Sequence, residues 1–245
     1  MINKQTSSGA GLTPTLSSLV INVVSAIVCS WGLYHCSCVV LPASLKKAGH
    51  KQFLTNISVV VTVINNTANV INWFVQRCAG AEVQQWKAVS ALVSREITLP
   101  FALIMETIVP LVYWPLRLFA LRLIAQDIPA GMRYPIPISV DLAIHFWPIV
   151  FLLGDHYLSG YGSKFKISNG KAWLVITGTG FAYYKFLAAL IDVSTGQAYP
   201  YPFLNVNEPY RSIIFVFVST IAWLIFIGYQ ARVPHQLQRL QKKTA

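Results

Sequence analysis

The chain has 245 residues, 55% of them hydrophobic and 11% charged, with a formal net charge of +11. A water-soluble domain carries about 25% charged residues, so the composition excludes one and points to a chain solvated by lipid. Its basic residues lie between apolar spans without a basic–aromatic nucleic-acid motif. The positive balance therefore reads as topology signalling and contact with anionic headgroups, with no nucleic-acid partner.

The N-terminus, MINKQTSSGAGLTPT, is polar and precedes an apolar span too long for a signal-peptide core. A retained first helix is expected. Six spans follow, at about 16–41, 53–76, 91–114, 138–158, 171–192 and 210–231, each near the ~20 residues a bilayer requires. The predicted fold class is all-α, a polytopic bundle of six transmembrane helices forming one domain over 1–245. Pro42, Pro115, Pro135 and Pro137 fall at span edges, whereas Pro100, Pro110 and Pro148 lie inside spans, which membrane helices tolerate.

Cys29, Cys36 and Cys38 sit in the first span and Cys78 lies beyond the second. That placement predicts free thiols, not a disulfide framework. The second span, FLTNISVVVTVINNTANVINWFV, carries Thr55, Ser58, Thr62, Asn65, Asn69 and Asn72 at helical spacing. Lipid would penalise such a face, so it must point into the bundle, where hydrogen bonding between helices is its usual work. Two glycosylation-type triplets, Asn56-Ile57-Ser58 and Asn65-Asn66-Thr67, lie in or at the membrane and are discounted.

The third span holds Arg95 and Glu96, expected at an interface where snorkelling is cheap, and a deeper Glu106 that needs a partner. Lys185 in the fifth span is the suggested partner. Gly178 and Gly180 predict close helix approach there. The fourth span, ISVDLAIHFWPIVFLLGDHY, places Asp141 and His145 four residues apart on one helical face. An ionisable pair inside an apolar span is expensive in lipid and marks a functional site by default, though a polar interhelix contact is the plain alternative. The last loop, DVSTGQAYPYPFLNVNEPYR, suits a rigid stretch at the interface.

With both termini cytosolic, ten Lys and Arg fall inside, Lys4 among them, against seven outside, which include Arg117, Arg122 and Arg133 in one loop, favouring that orientation. The chain ends in KKTA, with lysines third and fourth from the end, like a dilysine retrieval signal of the endoplasmic reticulum. A basic tail at a membrane surface is the alternative.

A catalytic zinc needs about three protein ligands. His145 and His156 share a face but stand about 16 Å apart along a helix, and His35 and Asp155 complete no set, so no metal site is expected. No P-loop, GxGxxG or GxSxG motif occurs. What remains is an alcohol nucleophile with a histidine base. Thr55 and His145 fall at similar depth on spans running the same way, so contact is possible, and Asp141 could orient the ring. A helix-starting Thr is more often a cap.

GHKQFLTNIS around Thr55, SVDLAIHFW around His145 and TGQAYPYPFLN at 195–205 share their order and spacing with the androgen-induced-gene family. That family includes the androgen-dependent regulator of tissue-factor-pathway inhibitor, and the resemblance runs from about the first span to the sixth. It implies a six-span hydrolase of fatty acid esters of hydroxy fatty acids, with an intramembrane threonine and histidine matching Thr55, after Phe53-Leu54, and His145. Some relatives carry Asn, or a second histidine, one turn earlier, where this chain has Asp141 and Leu142.

The resulting reading is an intramembrane threonine hydrolase. Thr55 attacks, His145 carries the proton and Asp141 orients it. Asn56, Ser58, Asn65, Tyr199 and Tyr201 are the candidate substrate-binding residues. Acyl chains would lie between helices, and no cofactor is needed. The partners are a lipid ester and membrane lipids, with a homo-oligomer left open. A transporter or channel, drawing on Glu106, Lys185 and Asp192, and a non-catalytic regulator are the competitors; no internal repeat supports the transporter.

Overall fold

The structure, a computed structural model, describes residues 13–78, 80, 83–125 and 136–232. Lys4, Arg133, Pro135 and the KKTA terminus lie outside them. Among the described residues six helices are long and apolar enough to cross a membrane: α1 (Leu16–Ser37), α2 (Leu54–Cys78), α3 (Gln84–Phe119), α4 (Ile138–Leu158), α5 (Asn169–Thr195) and α6 (Tyr210–Ala231). No strand occurs among the described residues, so the protein is an all-α polytopic bundle.

Local sequence sets the helix starts. The Thr15 hydroxyl accepts the Ser18 amide at 3.1 Å and caps α1, and Ser168 caps α5 through the Lys171 amide at 3.4 Å. Each satisfies one of the first-turn donors that a helix leaves open. The third span is longer than predicted. Pro115 sits inside α3, not at its edge, and Arg117 is a helical residue, not a loop one. Proline costs less here because the surrounding helices can pair the freed carbonyl.

α4 is interrupted. It runs from Ile138 to His145, breaks at Phe146 (φ −134°, ψ −57°) and resumes at Trp147. Pro148 has no N–H for the carbonyl one turn earlier, and its ring crowds that turn. The Trp114 indole donates to the His145 carbonyl at 3.1 Å. The His145 carbonyl at the break thus has a side-chain donor.

Glycine decides two close approaches. A Cβ on Gly32 of α1 would come 2.8 Å from the Ala143 Cβ of α4, and one on Gly180 of α5 would come 2.3 Å from the Ser219 Oγ of α6. Gly178 faces open space, so only Gly180 serves the close approach expected of the pair. Leu99, Leu103, Leu152, Phe165, Ala222 and Phe226 form the main apolar core, where α3, α4 and α6 meet.

The polar face of α2 points inward as predicted, with Thr55, Ser58, Thr62, Asn65, Asn69 and Asn72 all buried. Two expectations fail beside it. Arg95 does not snorkel; it is buried, paired with Asp155, bonded to Asn69 at 3.1 Å and stacked over Tyr161. Lys185 does not meet Glu106. Lys185 is exposed over the Phe181 and Tyr184 rings, whereas Glu106 accepts from the Thr62 hydroxyl at 2.9 Å. Helical periodicity placed each residue on its helix but not the rotation of that helix against its neighbours.

Candidate active site

Thr55 is presented by a short, heavily tied segment. Residues His50–Gln52 form a 3-10 turn, Phe53 is extended (φ −80°, ψ 124°), and α2 begins at Leu54. The Gln52 amide donates to the carbonyls of Leu45 and Gly49, both at 2.9 Å. Asn56 donates to the His50 carbonyl at 2.9 Å, and the Tyr183 hydroxyl to the Gln52 carbonyl at 2.7 Å. These bonds hold the start of α2 against α5.

The Thr55 hydroxyl stands 3.2 Å from Nε2 of His145. On the other side of the ring, Nδ1 is 2.9 Å from the Asp141 carboxylate and 3.2 Å from the Asp141 carbonyl. Two acceptors at Nδ1 put the ring proton there, which leaves the Nε2 lone pair facing the hydroxyl. This is the tautomer a general base needs. Thr55, Asp141 and His145 are all buried.

Three residues complete the surroundings. Tyr113 of α3 stacks on the His145 ring, centroids 3.5 Å apart, and its hydroxyl donates to the Asp141 carboxylate at 2.6 Å. Arg117, one turn further along α3, reaches the same carboxylate at 3.7 Å. Tyr201, from the loop between α5 and α6, accepts the Leu54 amide at 3.1 Å and lines the cavity beside Thr55. Burial raises the Tyr201 phenol above its ordinary range, so it keeps a proton to donate.

Of the predicted residues, Thr55, His145, Asp141 and Tyr201 come together. Ser58 lies beneath them, donating to the Thr55 carbonyl at 2.9 Å. Asn56 spends its side chain on the loop, with Cys36 as a second neighbour at 3.6 Å. Asn65 is deep in the bundle, bonded to Thr98 at 2.9 Å. Tyr199 braces Arg211, which donates to its hydroxyl at 2.9 Å. The sequence does not single out Tyr113 or Trp114, and it places Arg117 in a loop, whereas the structure brings all three to the site. The signal available was the one-turn spacing of Tyr113 and Arg117 on a helix that must neutralise an intramembrane carboxylate.

A cavity of about 430 Å³ opens beside the hydroxyl, lined by Thr55, Tyr113 and Tyr201 at one end and by Glu96, Ile97 and Ile167 at the other. Between these ends its walls are almost wholly apolar and come from α3, α5 and α6. Among the described residues no group of three or more His, Cys, Asp or Glu side chains could hold a metal ion.

Residues 17–233 match the family described as FAR-17a/AIG1-like protein. The chain belongs to that family. It is 50% identical over 232 residues to "UPF0641 membrane protein YHR140W" of Saccharomyces cerevisiae, covering 95% of this chain and 97% of the relative. A second relative, "UPF0641 membrane protein PJ4664.05" of Schizosaccharomyces pombe, is 26% identical over 172 residues, 70% of this chain and 69% of its own. No solved structure matches. Membership of the FAR-17a/AIG1-like family bears out the resemblance carried by the segments around Thr55, His145 and Tyr201.

Proposed function

We propose that the protein is an intramembrane threonine hydrolase of lipid esters, with fatty acid esters of hydroxy fatty acids as the substrate class that the family resemblance implies. The observation that carries this reading is the Thr55–His145–Asp141 relay, at the end of an apolar cavity.

Nε2 of His145 takes the Thr55 proton as the oxygen attacks the ester carbonyl. The Tyr201 hydroxyl stands where it can donate to the developing oxyanion. Collapse of the tetrahedral intermediate expels the alcohol, which takes the proton back from the imidazolium, and leaves an acyl group on Thr55. A water deprotonated by His145 then attacks the acyl ester. Its collapse frees the carboxylic acid and returns the proton to Thr55. Asp141 holds the ring and stabilises its positive charge at both steps. The alternative of a transporter draws on buried charge, but Glu106 and Arg95 are bonded within the bundle.

The excess of Lys and Arg in the segments assigned to the cytosol, ten against seven, supports an orientation with both ends cytosolic. Accessibility of terminal tags after selective permeabilisation of the plasma membrane tests that orientation.

The central test is labelling by a fluorophosphonate probe together with cleavage of a fatty acid ester of a hydroxy fatty acid. Wild type should label at Thr55. Thr55→Ala and His145→Ala should each abolish both activities at normal expression, and the double variant should be scarcely worse, because the pair acts as a unit. Unchanged cleavage in either single variant would refute the mechanism.

A further inference from the structure

The cavity is longer than a nucleophile and its base require. Pro100 and Tyr113 both line it, and they lie about 20 Å apart along α3. That distance is most of the ~30 Å hydrocarbon thickness of a bilayer. Its depth is graded by facing residues. Tyr183 and Phe215 lie toward the Thr55 end, Gly180 and Ser219 touch midway, and Ala172 and Phe226 lie beyond.

The geometry points to a tunnel for a single long, unbranched acyl chain, its carbonyl at Thr55 and its methyl end toward Glu96, with the Gly180–Ser219 level gauging chain length. This deepens the hydrolase reading and rests on it. Apolar walls favour burial of methylenes at every level. The close approach of α5 to α6 at Gly180 closes the wall at that level. The far end is capped by Glu96, whose carboxylate accepts the Lys166 amide at 2.8 Å.

Glu96 is half-buried and pairs with the Lys166 ammonium at 3.8 Å, so it sets no orientation by charge. The apolar walls take the acyl half, and an acid-bearing alcohol half stays at the Thr55 end, where exposed Lys46, Lys47 and Lys51 precede the nucleophile in the chain.

The test uses purified full-length protein with p-nitrophenyl butyrate and palmitate, and a palmitate probe carrying a terminal photoreactive diazirine. Val218→Phe and Thr179→Phe fill the tunnel midway. Each should lower the palmitate-to-butyrate rate ratio by about tenfold or more, since each excluded methylene forfeits binding energy. Butyrate cleavage and labelling by a short-chain fluorophosphonate should stay near wild type, which also reports folding. Ile104→Ala, which widens the tunnel, should not lower the ratio. In wild type the diazirine should crosslink near Ala172 and Phe226, which are buried at that end of the cavity. Equal loss on both esters by variants that still label, or crosslinks confined to the lipid-facing surface, would overturn the tunnel. A wild type that crosslinks at Ala172 or Phe226 but neither cleaves nor labels would refute the hydrolase reading and leave the tunnel standing.

Discussion

The His145 ring lies flat against Tyr113, centroids 3.5 Å apart and planes 4° from parallel. The same tyrosine donates to the Asp141 carboxylate that faces the other edge of the histidine system. One side chain thus fixes the plane of the base and the position of its orienting group. Tyr113→Phe keeps the stack but deletes a bond to a charged acceptor, a change of about 1.5–3 kcal/mol. Probe labelling should slow by roughly tenfold to a hundredfold. Tyr113→Ala loses the stack as well and should be slower still; equal rates in the two variants would assign the stack no role.

Asp141→Asn probes the orienting carboxylate. An amide oxygen can still accept Nδ1–H, so the fold should persist, but stabilisation of the imidazolium weakens. We expect kcat to fall by at least about tenfold with KM little changed, since the lost interaction acts mainly in the transition state. Asp141→Leu removes the acceptor and should lose more. A fully active Asp141→Asn protein would leave Asp141 as a packing contact.

The Trp114 indole satisfies the His145 carbonyl at the break in α4. Trp114→Phe leaves that carbonyl without its donor, at a cost of about 1–3 kcal/mol. The expected readout is a lower midpoint in detergent melts and reduced labelling at Thr55. An unchanged melting curve would mean that another donor takes over.

The Arg95–Asp155 pair is buried far from Thr55, at the opposite end of α2. Arg95→Leu strands the carboxylate and should destabilise by about 3–5 kcal/mol. Arg95→Leu with Asp155→Leu removes both charges and should recover much of the loss. Detergent melts of the four combinations measure the coupling. The folded fraction of each should keep Thr55 labelling, because the pair holds the bundle and not the site.

Much of this arrangement was legible in the chain. Six spans, the inward face of α2 and the one-turn pairing of Asp141 with His145 follow from length and helical period, which are local properties. The resemblance carried by Thr55, His145 and Tyr201 added which of these polar residues to bring together. Boundaries slipped where proline misled: Pro115 reads as an end, yet α3 continues through it.

What the sequence alone determined is therefore the solvent, the class and the candidates: a lipid-embedded bundle in which Thr55 and the Asp141–His145 pair stand out. The tertiary structure decided the partners. It put Arg95 on Asp155, sent Lys185 outward, laid Tyr113 on His145, and brought Tyr201 across the loop to Thr55. The reason is that periodicity specifies which residues share a face of one helix. The rotation and depth of that helix against its neighbours depend on contacts distant in sequence, such as Gly32 on Ala143 and Gly180 on Ser219.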